Sequence, residues 1–155
     1  MGSSRQAGFS LIELIVAFTI LSILAVMAVP LARYRVRQER EIELRNDLVE
    51  MRKAIDKYKD ECDKNTFGPP KMDSDCYPES LEILVKGQKK ASDANGKKIK
   101  FLRRIPKDPF TGDADWGKRS DQDDPDSDSW GGQNVFDVYT KTMEKAADGT
   151  PYSQW

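Results

Sequence analysis

The sequence predicts an α+β protein in which one long N-terminal helix, apolar in its first half, carries a small antiparallel β head. Three observations predict it. Phe9 to Ala32 is a run of 24 residues with a single ionisable side chain, Glu13. After Pro30 neither glycine nor proline occurs until Gly68, and Leu44, Leu48, Met51, Ile55, Tyr58 and Cys62 recur at alternating spacings of four and three. That spacing draws an apolar stripe along one helix face. Finally, Val135 to Thr140 reads as a strand, with Trp116 and its neighbours as a candidate partner.

A chain of 155 residues has room for one modest domain. Its composition is divided, because everything after Ala32 is polar, with 24 Lys/Arg against 25 Asp/Glu. That balance gives no general pull toward nucleic acid or anionic lipid. The absence of histidine removes the commonest acid–base group and metal ligand, which excludes most hydrolase triads. Cys62 and Cys76 read as a disulfide in an exported head and as two free thiols in a cytosolic one.

As a helix, the apolar run would be about 36 Å long, enough to cross a hydrocarbon layer of ~30 Å with some tilt. A plain single-pass anchor is the simplest reading, and three details fit it poorly. Glu13 lies five residues into the run, where a carboxylate costs several kcal/mol unless it is paired or at headgroup depth. The prelude Met1 to Gly8 is short, polar and ends in glycine. Pro30 removes a backbone hydrogen bond late in the run and invites a kink or a helix boundary.

Gly8-Phe9-Ser10-Leu11-Ile12-Glu13 resembles the signature of type IV pilins and type II secretion pseudopilins. The resemblance implies that a prepilin peptidase cuts between Gly8 and Phe9 and methylates the new N-terminal phenylalanine. Glu13 becomes the fifth mature residue, and Pro30 falls where the family commonly has a proline. The implied organisation is a leader over 1–8, a transmembrane helix segment over 9–32, the periplasmic half of the long helix over 33–64 and a globular pilin-like head over 65–155. A freed α-amine has a reference pKa near 8 and is mostly cationic at neutral pH. In an apolar filament core, the amine of Phe9 from one copy and Glu13 of the next would relieve each other's desolvation, setting register more than stability. The basic residues oppose this orientation. Arg33, Arg35, Arg37 and Arg40 follow the span and only Arg5 precedes it, so the positive-inside rule alone puts the head in the cytoplasm. The processing signature puts it in the periplasm.

Within the head, Asn65 to Pro70 ends the long helix and turns the chain. Tyr77 to Gly87 reads as a short helix with Pro78 in its first turn and Gly87 as its stop. Residues 86–107 carry nine basic side chains against one acid, and residues 108–128 carry eight acids against two basic. Solvated surface, contact between successive heads and nucleic-acid capture are the three readings of these segments, the last weakened by sparse aromatics. Tyr152 and Trp155 are expected to pack. Tyr77-Pro78-Glu79-Ser80-Leu81, Arg104-Ile105-Pro106-Lys107-Asp108-Pro109-Phe110 and Trp155 look like the corresponding stretches of G-type major pseudopilins of type II secretion.

That family often binds calcium in the loop before its terminal tryptophan. Here that loop, Lys141 to Gln154, has only Glu144 and Asp148, which puts the usual site in doubt. Asp124, Asp126 and Asp128 begin like a calcium loop, but Ser129 stands at the glycine position and Val135 at the bidentate glutamate position. Calcium is therefore a candidate ligand, and an exposed acidic loop the simpler reading. The resemblance implies a structural subunit, not an enzyme, that self-associates into a helical filament at the bacterial inner membrane with its head in the periplasm. Its implied partners are the prepilin peptidase, an inner-membrane assembly platform and minor pseudopilins, with no nucleic acid. A type IV pilin or competence pseudopilin, and a membrane-tethered metal-binding domain, are the two alternatives.

Overall fold

The computed structural model describes residues 10–93 and 96–155. Gly8 and Phe9 lie outside the described residues. The chain divides into two compact units, Met1–Glu39 and Arg40–Trp155. One helix, α1 (Leu11–Asp63, 53 residues), begins in the first unit and ends in the second. It contains no glycine and runs through Pro30 without interruption. A proline removes only its own N–H bond to the preceding turn, and the strong helix formers Leu, Ala, Glu, Lys and Arg supply the rest of the ladder.

The helix stops at a left-handed residue. Asn65 has φ 56°, its N–H bonds to the Cys62 carbonyl at 2.7 Å, and the Thr66 N–H reaches back to Glu61 at 3.1 Å. This double return satisfies two carbonyls that the last turn would leave open.

In the first unit, every apolar side chain described from Leu11 to Val29 faces outward. Leu11 is 78% exposed, Phe18 70% and Val26 75%. In the second unit the stripe turns inward. Leu44, Leu48, Met51 and Ile55 are each no more than 2% exposed, and Tyr58 and Cys62 follow them into the core. Full burial of such side chains is worth about 2 kcal/mol apiece.

The head covers the stripe. α2 (Leu81–Lys86) buries Leu81 and Leu84, and Gly87 at φ 80° stops it by returning its N–H to Ile83 at 2.8 Å. The helix is shorter than the predicted 77–87. Ser80 is extended (φ −157°), and the Pro78 carbonyl accepts the Val135 N–H at 2.7 Å, which keeps the Tyr77-Pro78 stretch out of helical geometry. Two antiparallel ladders follow. β1 (Gln88–Lys89) pairs with β2 (Lys98–Ile99) in a hairpin that sequence patterning did not suggest.

The second ladder joins β3 (Gly117–Arg119) to β4 (Asp137–Tyr139), with Gly117 opposite Tyr139 and Arg119 opposite Asp137. The predicted strand and its partner beside Trp116 are therefore present, although trimmed at the front where Val135 turns to Pro78. Trp116, Val135, Val138 and Tyr152 complete the core against α1. A short 3₁₀ turn, Tyr152–Gln154, precedes Trp155.

Candidate functional site

The first turn of α1 presents a carboxylate in an apolar setting. Glu13 lies exposed in that turn, among Leu11, Ile12, Leu14 and Ile15, which are exposed as well. A negative charge suits the N-terminal end of a helix, where unpaired N–H groups carry partial positive charge. Farther along, the hydroxyls of Thr19 and Ser22 are satisfied within the helix. Thr19 Oγ1 donates to Ile15 O at 2.8 Å and Ser22 Oγ to Phe18 O at 2.8 Å. Hydrocarbon demands such internal pairing, since nothing in it accepts a hydrogen bond.

Among the described residues, α1 alone is long and apolar enough to cross a membrane, and none of its apolar window is buried by protein. A core helix of a water-soluble protein would bury that window. Glu13 is the acidic residue in the first turn of that helix. Pro30 sits near the end of the same apolar stretch, within unbroken helix.

The far end of α1 is tied to the head by several distinct contacts. Cys62 and Cys76 form a disulfide with their Cα atoms 5.5 Å apart. The loop so closed is fastened further, where Lys59 Nζ donates to Asp75 O at 3.0 Å and Asn134 Nδ2 to Ser74 O at 3.2 Å. Arg52 spreads its guanidinium over three acceptors. Nε reaches Asp137 Oδ1 at 2.6 Å, and Nη2 reaches the Trp155 carbonyl at 2.7 Å and the Val138 carbonyl at 3.3 Å.

One helical face above it, Arg45 stacks on the Trp155 ring at 4.1 Å, and Glu41 accepts the Tyr152 hydroxyl at 2.6 Å. Glu41, Arg45 and Arg52 thus carry the C-terminal aromatics on the helix. Sequence reading predicted that Tyr152 and Trp155 pack but did not find their partners. The available signal was Arg45 and Arg52, seven residues apart beside the apolar stripe.

The acidic segment folds as a loop held mainly by its backbone. Arg119 Nε donates to Ser127 O at 2.8 Å, Tyr139 Oη to Asp128 O at 3.0 Å and Ser127 N to Asp124 O at 2.9 Å. Asp123 is different. Its carboxylate accepts the N–H groups of Ser120 at 2.7 Å and Gly131 at 3.0 Å, and these bonds hold it below the usual carboxylate range. The Asp75 carboxyl is pushed up by a hydrogen bond to Asp121 and by that neighbour's like charge.

Asp124, Asp126 and Asp128 are exposed, and among the described residues no three acidic side chains gather around one point. In the loop before Trp155, Asp148 accepts the Thr150 N–H at 2.9 Å, and a Lys145 to Pro151 bridge closes the turn. Among the described residues, neither loop brings together three acidic side chains placed to hold a metal ion.

The apolar start and the head also have relatives. A family model described as a prokaryotic N-terminal methylation motif matches residues 3–29. Type II secretion system core protein G of Pseudomonas aeruginosa is 32% identical over 114 residues, covering 71% of this chain and 72% of that protein. The protein of the same name from Vibrio cholerae is 30% identical over 112 residues, 70% of this chain and 68% of its own length. That from Klebsiella pneumoniae is 32% identical over 114 residues, 70% and 72% respectively. No solved structure matches the chain. A methylation motif heading an exposed apolar helix, with relatives 32% identical over 70–71% of the chain and 72% of their own length, places this chain in the family of the type II secretion system core protein G.

Proposed function

We propose that this chain is the major structural subunit of a type II secretion pseudopilus. A prepilin peptidase removes residues 1–8 and methylates Phe9. The apolar half of α1 then holds the subunit in the inner membrane with its head in the periplasm. An assembly platform, with minor pseudopilins at the tip, draws subunits from the lipid into a filament that pushes exported proteins outward. The chain's part is mechanical, with no reaction catalysed.

One observation carries this reading: a lone carboxylate, Glu13, in the first turn of a helix whose described apolar side chains from Leu11 to Val29 are exposed. Copies of that helix packed side by side would bury the apolar surface that lipid covers before assembly. Glu13 would then meet the α-amine of Phe9 of an adjoining copy, since an unpaired buried charge costs several kcal/mol and a paired one roughly breaks even.

Mass spectrometry of the membrane-extracted protein tests the first step, with an N-methylated chain beginning at Phe9 as the expected result. Recovery of Met1 on all mature protein overturns the proposal. Glu13→Ala tests the second step. The variant is expected to be processed normally and to lose most of its filament yield, read as sedimentable, cross-linkable polymer. Wild-type yield from Glu13→Ala would remove the role given to that carboxylate.

A further inference from the structure

The hairpin β1–β2 is built against electrostatic preference. Its ladder sets Lys89 directly opposite Lys98, and the next backbone bond runs from Lys90 N to Lys97 O at 3.3 Å, so four lysines share two adjacent rungs. Like charges facing each other across a ladder are unfavourable. Lys89, Lys97 and Lys98 are exposed, and among the described residues no carboxylate pairs with any of them. The hairpin is nonetheless fixed in place. Ala91 N bonds to Thr66 O at 2.9 Å, and Phe101 N and Leu102 N both bond to Leu84 O, at 2.9 and 3.0 Å. The hairpin thus displays three exposed lysines, Lys89, Lys97 and Lys98, without a carboxylate partner among the described residues, whereas Lys90 is half-buried and lies near Glu61.

The same head carries the opposite patch. In the loop around Asp124, Asp126 and Asp128 the chain is pinned by the carbonyls of Ser127 and Asp128. The three carboxylates are exposed and have no cationic partner among the described residues. Within one chain the two patches do not neutralise each other, because no ion pair joins them. Two different complementary patches on one molecule make a heterologous contact, which when repeated propagates into an open polymer unless its rotation closes a ring.

We propose that the lysine hairpin of one copy docks against the aspartate loop of a second copy, so that head contacts, and not only the apolar helices, set the order of subunits. Anionic lipid is the less favoured occupant, because the chain itself supplies a preformed acidic partner and the near-neutral balance beyond Ala32 gives no net attraction to a membrane surface. This inference rests on the filament reading, and the experiment separates the two.

Full-length chain is expressed in its secretion-competent host in four forms: wild type, Lys89→Glu with Lys98→Glu, Asp124→Lys with Asp126→Lys, and all four substitutions together. Sedimentable polymer is measured, with cleavage at Phe9 and the Cys62–Cys76 bond on non-reducing gels as controls for processing and folding. Each exposed pair shifts an equilibrium roughly two- to fivefold. Each double reversal is therefore expected to lower polymer about tenfold, and the quadruple variant to recover most of it. Added salt should weaken wild-type polymer through the same contacts.

Wild-type polymer from both double reversals, or no recovery in the quadruple variant, would overturn the docking while leaving the filament reading intact. Loss confined to the lysine reversal, together with lost co-sedimentation on phosphatidylglycerol vesicles, would replace the second copy with lipid and also overturn it. Absence of polymer from processed wild-type chain would overturn the filament reading and the docking with it.

Discussion

The Cys62–Cys76 bond can be weighed from the structure. It closes a loop with a sequence separation of 14 between its ends. In the chain-entropy treatment a loop of about 15 residues is worth ~3 kcal/mol at 25 °C. Both cysteines are buried, at 6% and 8% exposure, so a serine in either place would add an unpaired hydroxyl to the loss. The clean perturbation is Cys62→Ala with Cys76→Ala, compared with wild type in oxidised and reduced forms.

The folded state also fastens this loop where Lys59 meets Asp75 O and Asn134 meets Ser74 O. Neither restrains the unfolded chain, so they cannot substitute for the covalent closure. A loss of ~3 kcal/mol in a head of this size lowers the unfolding midpoint by roughly 10–15 °C. Thermal unfolding of detergent-solubilised full chain, followed by fluorescence of the buried Trp116, measures it. The reduced wild type and the double alanine variant should fall together. A drop under about 3 °C in both would refute the reasoning, because the loop would then be ordered by its noncovalent contacts alone.

Three further outcomes are expected. Arg52→Ala should lower head stability by about 1–3 kcal/mol, since it removes the fork to Asp137 and the bond to the Trp155 carbonyl. Arg52→Lys should recover little in the same denaturant titration, because an ammonium cannot span those acceptors. Gly117→Ala would place a methyl group inside the Tyr139 ring across the ladder. A cost of about 1–3 kcal/mol is expected, read as a lowered unfolding midpoint, with Tyr139→Leu in the same chain relieving part of it. Asp47 has its carboxyl raised from the ordinary value to about 6, by burial first and then by Glu43, Glu50 and Asp108, against Arg104. A folded-state pKa above the unfolded one contributes stability below about pH 4 that is lost as pH rises through about 6. The midpoint of Asp47→Asn relative to wild type should therefore improve between pH 4 and pH 7, and a constant difference across that window would count against it.

Legibility followed the physics of repetition. The stripe from Leu44 to Cys62 repeats at helical spacing, so its burial could be read from the order of residues alone. Gly87 and the Asn65 turn were also legible, because a chain that must enter left-handed geometry advertises the residues that do so. The hairpin was not. Its two-residue strands are too short to show alternation, and its lysines argue for solvent and not for pairing. Helix α2 starts later than Pro78 suggests because that residue's carbonyl is spent on Val135, 57 positions away. Arg52 and Asp137 meet across 85 positions, a contact that no local pattern encodes. At the candidate site the carboxylate and its apolar surroundings were visible at once. The residues flanking it on the leader side, Gly8 and Phe9, lie outside the described residues, and their part remains a proposal.

The two halves of α1 differ in the surface they expose, and on the proposed reading this orders the events of assembly. The stripe in Arg40–Trp155 is covered by the chain's own head, so that unit satisfies its apolar surface without a partner. The apolar side chains described from Leu11 to Val29 lie exposed. Leaving the membrane is therefore unfavourable for an isolated subunit, by about 25 cal/mol for each Å² of apolar surface that would meet water. Transfer becomes tolerable only if copies replace lipid as they leave it. Lipid and packed helices are alike in polarity, so the exchange itself has little driving force. Two terms can then favour the polymer: charge pairing at the helix start and specific contact between heads. Glu13 supplies the first on the proposed reading. The second must come from the polar surface, where the lysine hairpin and the aspartate loop display exposed charges of opposite sign.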